Sequence, residues 1–188
     1  MDQDSIALFM EDWRRERPDL DPWPLGIIGR APRIYSHLLR RAETWLAPLG
    51  LSWETFSLIA ALRRSGKPYE LNPTQLQRLS LLTSGAMTNR VDRVEALGLV
   101  QRRPDPADRR GVLVRLTPAG RDLADKAISV HFREAAGLLD ALTAREAAQL
   151  GRLLAKLLLA LEHSQHATAH APKMQSPGET SKKKRGRA

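Results

Sequence analysis

The run from Leu82 to Gly120, LTSGAMTNRVDRVEALGLVQRRPDPADRRGVLVRLTPAG, constrains this chain more than any other stretch. It reads as a short helix, a strand rich in Val and Leu, an Arg-rich turn, a second such strand and the start of a new helix. A helix followed at once by a basic β-hairpin has a shape complementary to duplex DNA. The helix is narrow enough for the major groove, and the hairpin reaches the neighbouring minor groove.

The distribution of charge agrees with that shape. The 188 residues carry a formal charge of +9, but the excess is local. Residues 72–121 hold nine Arg, no Lys and four acids, a net of +5. Residues 172–188 hold six basic residues and Glu179, again +5, which leaves the rest of the chain at −1. A concentrated basic patch is the electrostatic footprint of a polyanion partner. The chain has no Cys, so disulfides, thiolate zinc sites and cysteine redox sensing are excluded. MDQDSIAL at the N-terminus has neither a basic nor an apolar leader region, and no apolar run, Leu157–Leu161 included, exceeds five residues. No membrane span is expected, and the expected location is cytoplasmic.

Periodicity divides the chain. Ser5 to Arg17 places Ile6, Phe9, Met10 and Trp13 on one helical stripe, ended by Pro18, Pro22 and Pro24. A long helix is expected over about Gly26 to Ala47, with Pro32 marking a kink or a later start. Ser52 caps the next helix, which stops at Ser65-Gly66. Asn72-Pro73-Thr74-Gln75 combines an N-cap, a proline at N1 and a capping-box Gln, and opens a helix ending near Leu82. Thr83-Ser84-Gly85 forms a turn and caps a helix to about Ala96, stopped by Gly98. Leu99–Arg103 and Gly111–Thr117 pair as strands, and Thr117-Pro118 starts a helix running to about Asp140. Thr143 and Glu146 form a further capping box. Beyond it Leu150, Leu153, Leu154, Leu157, Leu158 and Leu161 make a continuous seam. Three helices with such stripes predict a homodimer, the alternative being one intrachain core. From His163 the composition becomes that of a disordered basic tail.

The helix pair Thr74–Leu82 and Ser84–Ala96 is a helix-turn-helix. Ser84, Thr88 and Asn89 sit in the first turns of its second helix, where they can donate to and accept from base edges, and Met87 offers an apolar contact to a thymine methyl. Arg90 and Arg93 share a face suited to phosphates, although Arg93 could instead pair with Glu95 or Asp92. Thr74 and Gln75 either touch backbone phosphate or simply cap their helix. At the hairpin tip, Arg109 and Arg110 suit a narrow minor groove, with Asp108 holding an Arg by a charge-assisted hydrogen bond. A solvated tip is the alternative.

This part of the chain closely resembles the MarR family of winged-helix regulators. The matching residues are Ser84 to Arg90, Asp92-Arg93, Gly98-Leu99-Val100, Arg102-Arg103, Pro106, Asp108-Arg109-Arg110, Leu116-Thr117 and Gly120. The resemblance spans about Gly26 to Leu161. It implies a mainly α fold with a small β-wing: a winged helix-turn-helix domain with N- and C-terminal dimerisation helices. It also implies that Arg110 is the groove-inserting residue. The resulting division is an extra helix in 1–20, a winged-helix domain with dimerisation helices in 26–162 whose DNA-binding core is 51–121, and the tail in 163–188.

A narrower resemblance, through the extra helix with Trp13 and the run Thr83 to Asp92, is to the urate-responsive (PecS-like) branch of that family. It implies a ligand site of Trp13, Arg90 and Arg102. The fourth position, an Asp in that branch, is Ser57 here. A hydroxyl supplies no charge, so a weak response to urate is expected, while a small anionic or aromatic effector remains the expectation. Trp13 could also simply pack the extra helix.

Other chemistries find little support. His163, His166 and His170 have a spacing that could gather a metal, but solvated histidines are the plainer reading, and no metal or cofactor is expected. There is no phosphate-binding loop and no nucleophile elbow, so an enzyme is not expected. A pure protein-interaction module would leave the Arg-rich wing without purpose. The expected function is a sequence-specific DNA-binding regulator, a repressor released by ligand. The alternative is a sequence-neutral architectural DNA binder, which needs the charge but not the Ser/Thr/Asn face.

Overall fold

The computed structural model describes residues 3–80 and 84–169. They divide into two compact units, up to Leu138 and from Leu139 onward.

The first unit opens with α1 (Ser5–Glu16), capped by Asp4, whose carboxylate accepts from the backbone N–H of Ile6 and Ala7 at 2.8 and 3.0 Å. Asp4 also binds Arg30 at 2.9 Å, which ties α1 to the next segment and holds the Asp4 carboxyl below its usual range. The long helix expected over Gly26 to Ala47 is two pieces, α2 (Leu25–Ile28) and α3 (Arg30–Leu46), followed by a 3-10 turn at Ala47–Leu49. The restart at Arg30 places Pro32 in the first turn of α3, where its missing N–H costs nothing. α4 (Trp53–Arg64) is capped by Ser52 and is the central helix, with Phe56, Leu58, Ile59, Ala61 and Leu62 buried.

A two-residue strand, β1 (Glu70–Leu71), leads into α5 (Pro73–Ser80) through the expected capping box. Asn72 and Gln75 exchange side-chain to backbone hydrogen bonds, both of 2.9 Å. Then follow α6 (Ser84–Ala96), β2 (Val100–Asp105), β3 (Asp108–Leu116) and α7 (Pro118–Gly137). The sheet is antiparallel in the order β1-β3-β2, with Leu71 opposite Val114 and Arg102 also opposite Val114 on the other side. β1 has too few residues to carry a periodicity and was not legible in the sequence. α7 stops at Gly137 rather than near Asp140.

The core of this unit joins Leu46 of α3, Leu58, Ile59 and Leu62 of α4, Leu76 of α5, Met87, Val91 and Val94 of α6, Val114 of β3 and Ala124 and Ala127 of α7. Helix-turn-helix and wing are therefore packed on one scaffold. In the second unit α8 (Ala144–Ala169) starts from the expected box, Glu146 accepting from the Thr143 N–H at 2.8 Å. It continues to Ala169, past the point where a tail was expected, and its Leu150–Leu161 seam is exposed along a single chain. No single helix among the described residues is long and apolar enough to cross a membrane.

Candidate nucleic-acid interface and effector cavity

On α6 the buried positions Met87, Val91 and Val94 repeat at helical spacing and hold the helix to the core. Met87 is 1% exposed. The expectation that it meets a thymine methyl is therefore corrected: one turn of α6 must face inward, and Met87 is the residue that does. The outward surface carries Gly85, Thr88, Asn89, Asp92 and Arg93, all exposed. Thr74 is exposed at the start of α5, and Gln75 is engaged in its cap. Residues 81–83, where a turn is expected, and the side chain of Ser84 lie outside the described residues.

Arg90 does not share the exposed face. Its side chain is 13% exposed and turns toward α4, where Nη2 lies 3.6 Å from Glu54 Oε1. This corrects its assignment as a phosphate contact. Arg93 is exposed, and its partner is neither Asp92 nor Glu95 but the other oxygen of Glu54, at 3.1 Å. Glu54 thus forks between two arginines of α6. It went unnoticed in the sequence because a Glu in a first helical turn is already explained by the helix dipole. The available signal was its i, i+3 spacing from Ser57, which puts both on one face of α4.

The wing tip is shaped by aspartates acting on backbone. Asp105 accepts from the Ala107 N–H at 2.8 Å, and Asp108 accepts from the Arg110 N–H at 2.9 Å. Asp108 therefore folds the turn, and among the described residues it pairs with no guanidinium. Gly111 fits here because a Cβ would stand 2.9 Å from Asp105 Cβ. Arg110 is exposed at this tip, and the side chain of Arg109 lies outside the described residues.

Arg102, expected in a ligand site, lies elsewhere. From β2 it binds Glu95 and Asp92, both on α6, and its backbone N–H donates to Glu95 Oε1 at 2.7 Å. Three contacts from one residue tie the wing to α6. Thr117, the N-cap of α7, accepts from Gly120 N–H at 3.0 Å and its hydroxyl donates to Gly98 O at 2.8 Å, which fastens α7 to the turn between α6 and β2.

A cavity of about 870 Å³ opens between α3, α4, α6 and α7. Ser57 and Arg90 line it, whereas Trp13 and Arg102 do not. Trp13 lies exposed on α1. The four residues expected together are thus only two at this site. The Ser57 hydroxyl is spent on the Trp53 carbonyl at 2.7 Å. Aromatic walls dominate: His131 stands 5.0 to 5.9 Å from the rings of Trp45, Trp53, Phe56 and Phe132. Burial lowers the His131 pKa below its usual value, so the ring is neutral at pH 7. His131 Nδ1 and Arg90 Nε are buried without a hydrogen-bond partner. Among the described residues no cluster of three or more His, Asp or Glu could hold a metal ion, and the side chains of His166 and His170 lie outside them.

Residues 49–111 match the MarR family. The chain is 32% identical over 153 residues to the HTH-type transcriptional regulator PecS of Dickeya dadantii, covering 81% of this chain and 92% of that protein. It is 33% identical over 123 residues to the multiple antibiotic resistance protein MarR of Salmonella typhimurium, 63% of this chain and 81% of that one. Among solved structures, a C80S mutant of MarR from E. coli complexed with operator DNA superposes with a TM-score of 0.64 at 28% identity, over 78% of this chain and 97% of that chain. With its helix-turn-helix, its wing and these relatives, the chain belongs to the MarR family of DNA-binding transcriptional regulators.

Proposed function

We propose that this protein works as a cytoplasmic homodimer that represses transcription from a pseudo-palindromic operator and is released by a small aromatic effector held in the α3–α4–α6–α7 cavity. The observation that carries this reading is the exposed Thr88–Asn89 surface of α6, tied by Arg102 to a wing with Arg110 at its tip. Thr88 and Asn89 read base edges, Arg110 enters the minor groove, and Thr74 with Arg93 meets phosphates. A sequence-neutral binder would need the charge of this surface but not its Thr and Asn.

The exposed α8 seam, with the apolar residues of α1 and α3, supports dimerisation. A two-fold dimer sets two recognition helices ~34–36 Å apart, so half-sites lie about 10 base pairs apart. Release follows from Arg90, which lines the cavity while belonging to α6: an occupant that disturbs the Arg90–Glu54 pair shifts the recognition helix directly. The division into an extra helix in 1–20 and a winged-helix domain from 26, its last helix reaching Ala169, is part of the same proposal.

Footprinting on the chain's own upstream region against scrambled duplex tests it. Two protected half-sites about one helical turn apart are expected. Arg110→Ala should cost roughly 1–3 kcal/mol and relax preference at the flanking bases. Equal affinity for scrambled DNA would favour the architectural reading. Leu157→Glu should give monomers in light scattering with operator binding lost, and an unchanged mass would remove the dimer.

A further inference from the structure

A second cavity, of about 480 Å³, opens at the base of the wing, between the loop leading into β1, strands β2 and β3, and the start of α7. Val100 and Val114 are buried in the core, so their neighbours Gln101 and Arg115, which pair across the sheet, face away from it. Lys67 and Arg121 border the same space from the loop and from α7. Three cations therefore line this cavity, and its lining holds no Asp or Glu. Their charges are poorly answered. Lys67 is exposed and makes no ion pair among the described residues. Arg115 Nε stands 3.9 Å from Glu70, too far for a hydrogen bond. Arg121 reaches only its sequence neighbour Asp122, at 3.3 Å and with both side chains exposed, a pair that contributes little.

The wall behind these cations is fixed. Tyr69 lines the cavity with a φ of 64°, in the left-handed region that a residue with a Cβ seldom adopts. Its N–H donates to the Gly66 carbonyl at 2.6 Å, and its own carbonyl accepts from the Leu116 N–H at 3.1 Å. The Arg63 guanidinium lies over its ring at 4.9 Å and is itself held by Asp125 at 2.6 Å. Non-glycine residues kept in this conformation gather at ligand clamps. A wall set before binding leaves little to order when a ligand arrives. The cluster also stands apart from the surface assigned to DNA: Arg115 is five residues along β3 from Arg110, about 17 Å at the rise of a strand.

We propose that this cavity binds a phosphate-bearing small molecule of about nucleotide size, its phosphates among Arg115, Arg121 and Lys67 and the remainder against Tyr69 and Pro118. A monocarboxylate would answer only one of the three cations. A phosphate ester or a diphosphate brings two or more charges and several acceptor oxygens, which arginines take through paired N–H donors. A bare phosphate ion would fill a small part of the space, whereas the volume lies in the range of sites for whole small molecules.

Calorimetry on the full chain without DNA tests this with inorganic pyrophosphate, ADP and adenosine. Pyrophosphate and ADP should bind, and adenosine should not. Arg115→Gln and Arg121→Gln should each weaken pyrophosphate about tenfold, the effect of losing one charge-assisted hydrogen bond. Arg121→Lys should recover most of that loss. Arg41→Gln, which removes the same charge on α3 and outside the cavity, should change nothing. Amide NMR shifts on adding pyrophosphate to the unmodified protein should concentrate at residues 67–69 and 115–121, a readout that does not depend on any variant folding. A duplex backbone carries the same chemistry, so operator titrations separate the two sources. If Arg115→Gln and Arg121→Gln each lower the salt slope of operator binding by about 0.9, the cluster serves DNA and the proposal fails. It fails equally if pyrophosphate shows no saturable binding, if adenosine binds as tightly as ADP, or if Arg41→Gln costs as much as Arg121→Gln with shifts spread over the other basic segments, since net charge alone then holds the anion.

Discussion

Replacing Arg102 by Met separates two roles for a residue that family resemblance places in a ligand site and the structure places at the joint of wing and recognition helix. Met keeps most of the apolar stem and removes the guanidinium. What is lost is the pair with Glu95 and the pair with Asp92, while the backbone bond to Glu95 can remain. The Arg102 side chain is 32% exposed, Glu95 34% and Asp92 54%, so both pairs are partly screened. At about 0.5–1 kcal/mol for each screened pair, the loss is about 1–2 kcal/mol. For a chain of this size that corresponds to a fall of roughly 2–8 °C in Tm. Urea unfolding gives the free energy, and hydrogen exchange across residues 100–116 reports the wing. Exchange there should rise more than in α4. The deficit relative to wild type should shrink in about 1 M salt, where the Debye length falls to about 3 Å. Operator affinity should drop, because the wing is tied less firmly to α6. Effector binding should be unchanged, since Arg102 does not line the cavity. An Arg102→Met variant with wild-type stability and wing exchange but no effector binding would refute the reasoning and return Arg102 to the ligand.

Three further outcomes are expected. Met87→Ala should cost about 2–5 kcal/mol in urea unfolding through the cavity it leaves, with base preference intact once the folded fraction is allowed for; a stable variant with altered base preference would put Met87 back in the groove. Gly120→Ala should destabilise although Ala is the better helix former, because its Cβ would stand 1.9 Å from the Leu99 carbonyl oxygen and 2.8 Å from its carbon. Overpacking of about 1–3 kcal/mol outweighs a propensity gain of about 1, and a raised Tm would contradict it. Acidification through the range just below pH 6.5 should weaken folding at His131. The folded pKa lies below the unfolded one, so in that window the unfolded chain binds more protons and stability falls as pH falls. His131→Gln should flatten that part of the stability curve, and an unaltered slope would show that the ring is not what titrates.

The strong local signals in the sequence were accurate because each is a short-range physical device. The Asn72–Gln75 and Thr143–Glu146 boxes and the Ser52 and Thr117 caps form as their spacing demands. The helix–hairpin order located the wing. What escaped the sequence depends on tertiary neighbours. Met87 could face base or core, and only the packing of α6 on α4 decides that. The expectations for Arg90, Arg102 and Asp108 followed residue type, but their partners, Glu54, the Glu95–Asp92 pair and the Arg110 backbone, are set by the docking of α6, by its register with β2 and by the turn geometry. Trp13 and Ser57 share a resemblance but not a cavity. β1 is defined wholly by its pairing with β3.

The anchoring of α7 through Thr117 has a consequence for how such a protein diversifies. In the proposed reading α6 with its wing is the head that meets DNA; Arg102 ties the two together, and Thr117 and the Gly120–Leu99 approach join them to α7, which packs on α3 and α4. Under that proposal, changes along α7 or α3 would slide the head without altering its face. One base-pair step is about 3.4 Å, since a turn of ~34 Å holds about 10 pairs. A displacement of that order changes the half-site spacing a dimer accepts and leaves the preferred bases alone. Promoters carrying the same half-sites at different separations would then be distinguished by ruler length, and a lineage could move between gene sets without touching Thr88 or Asn89.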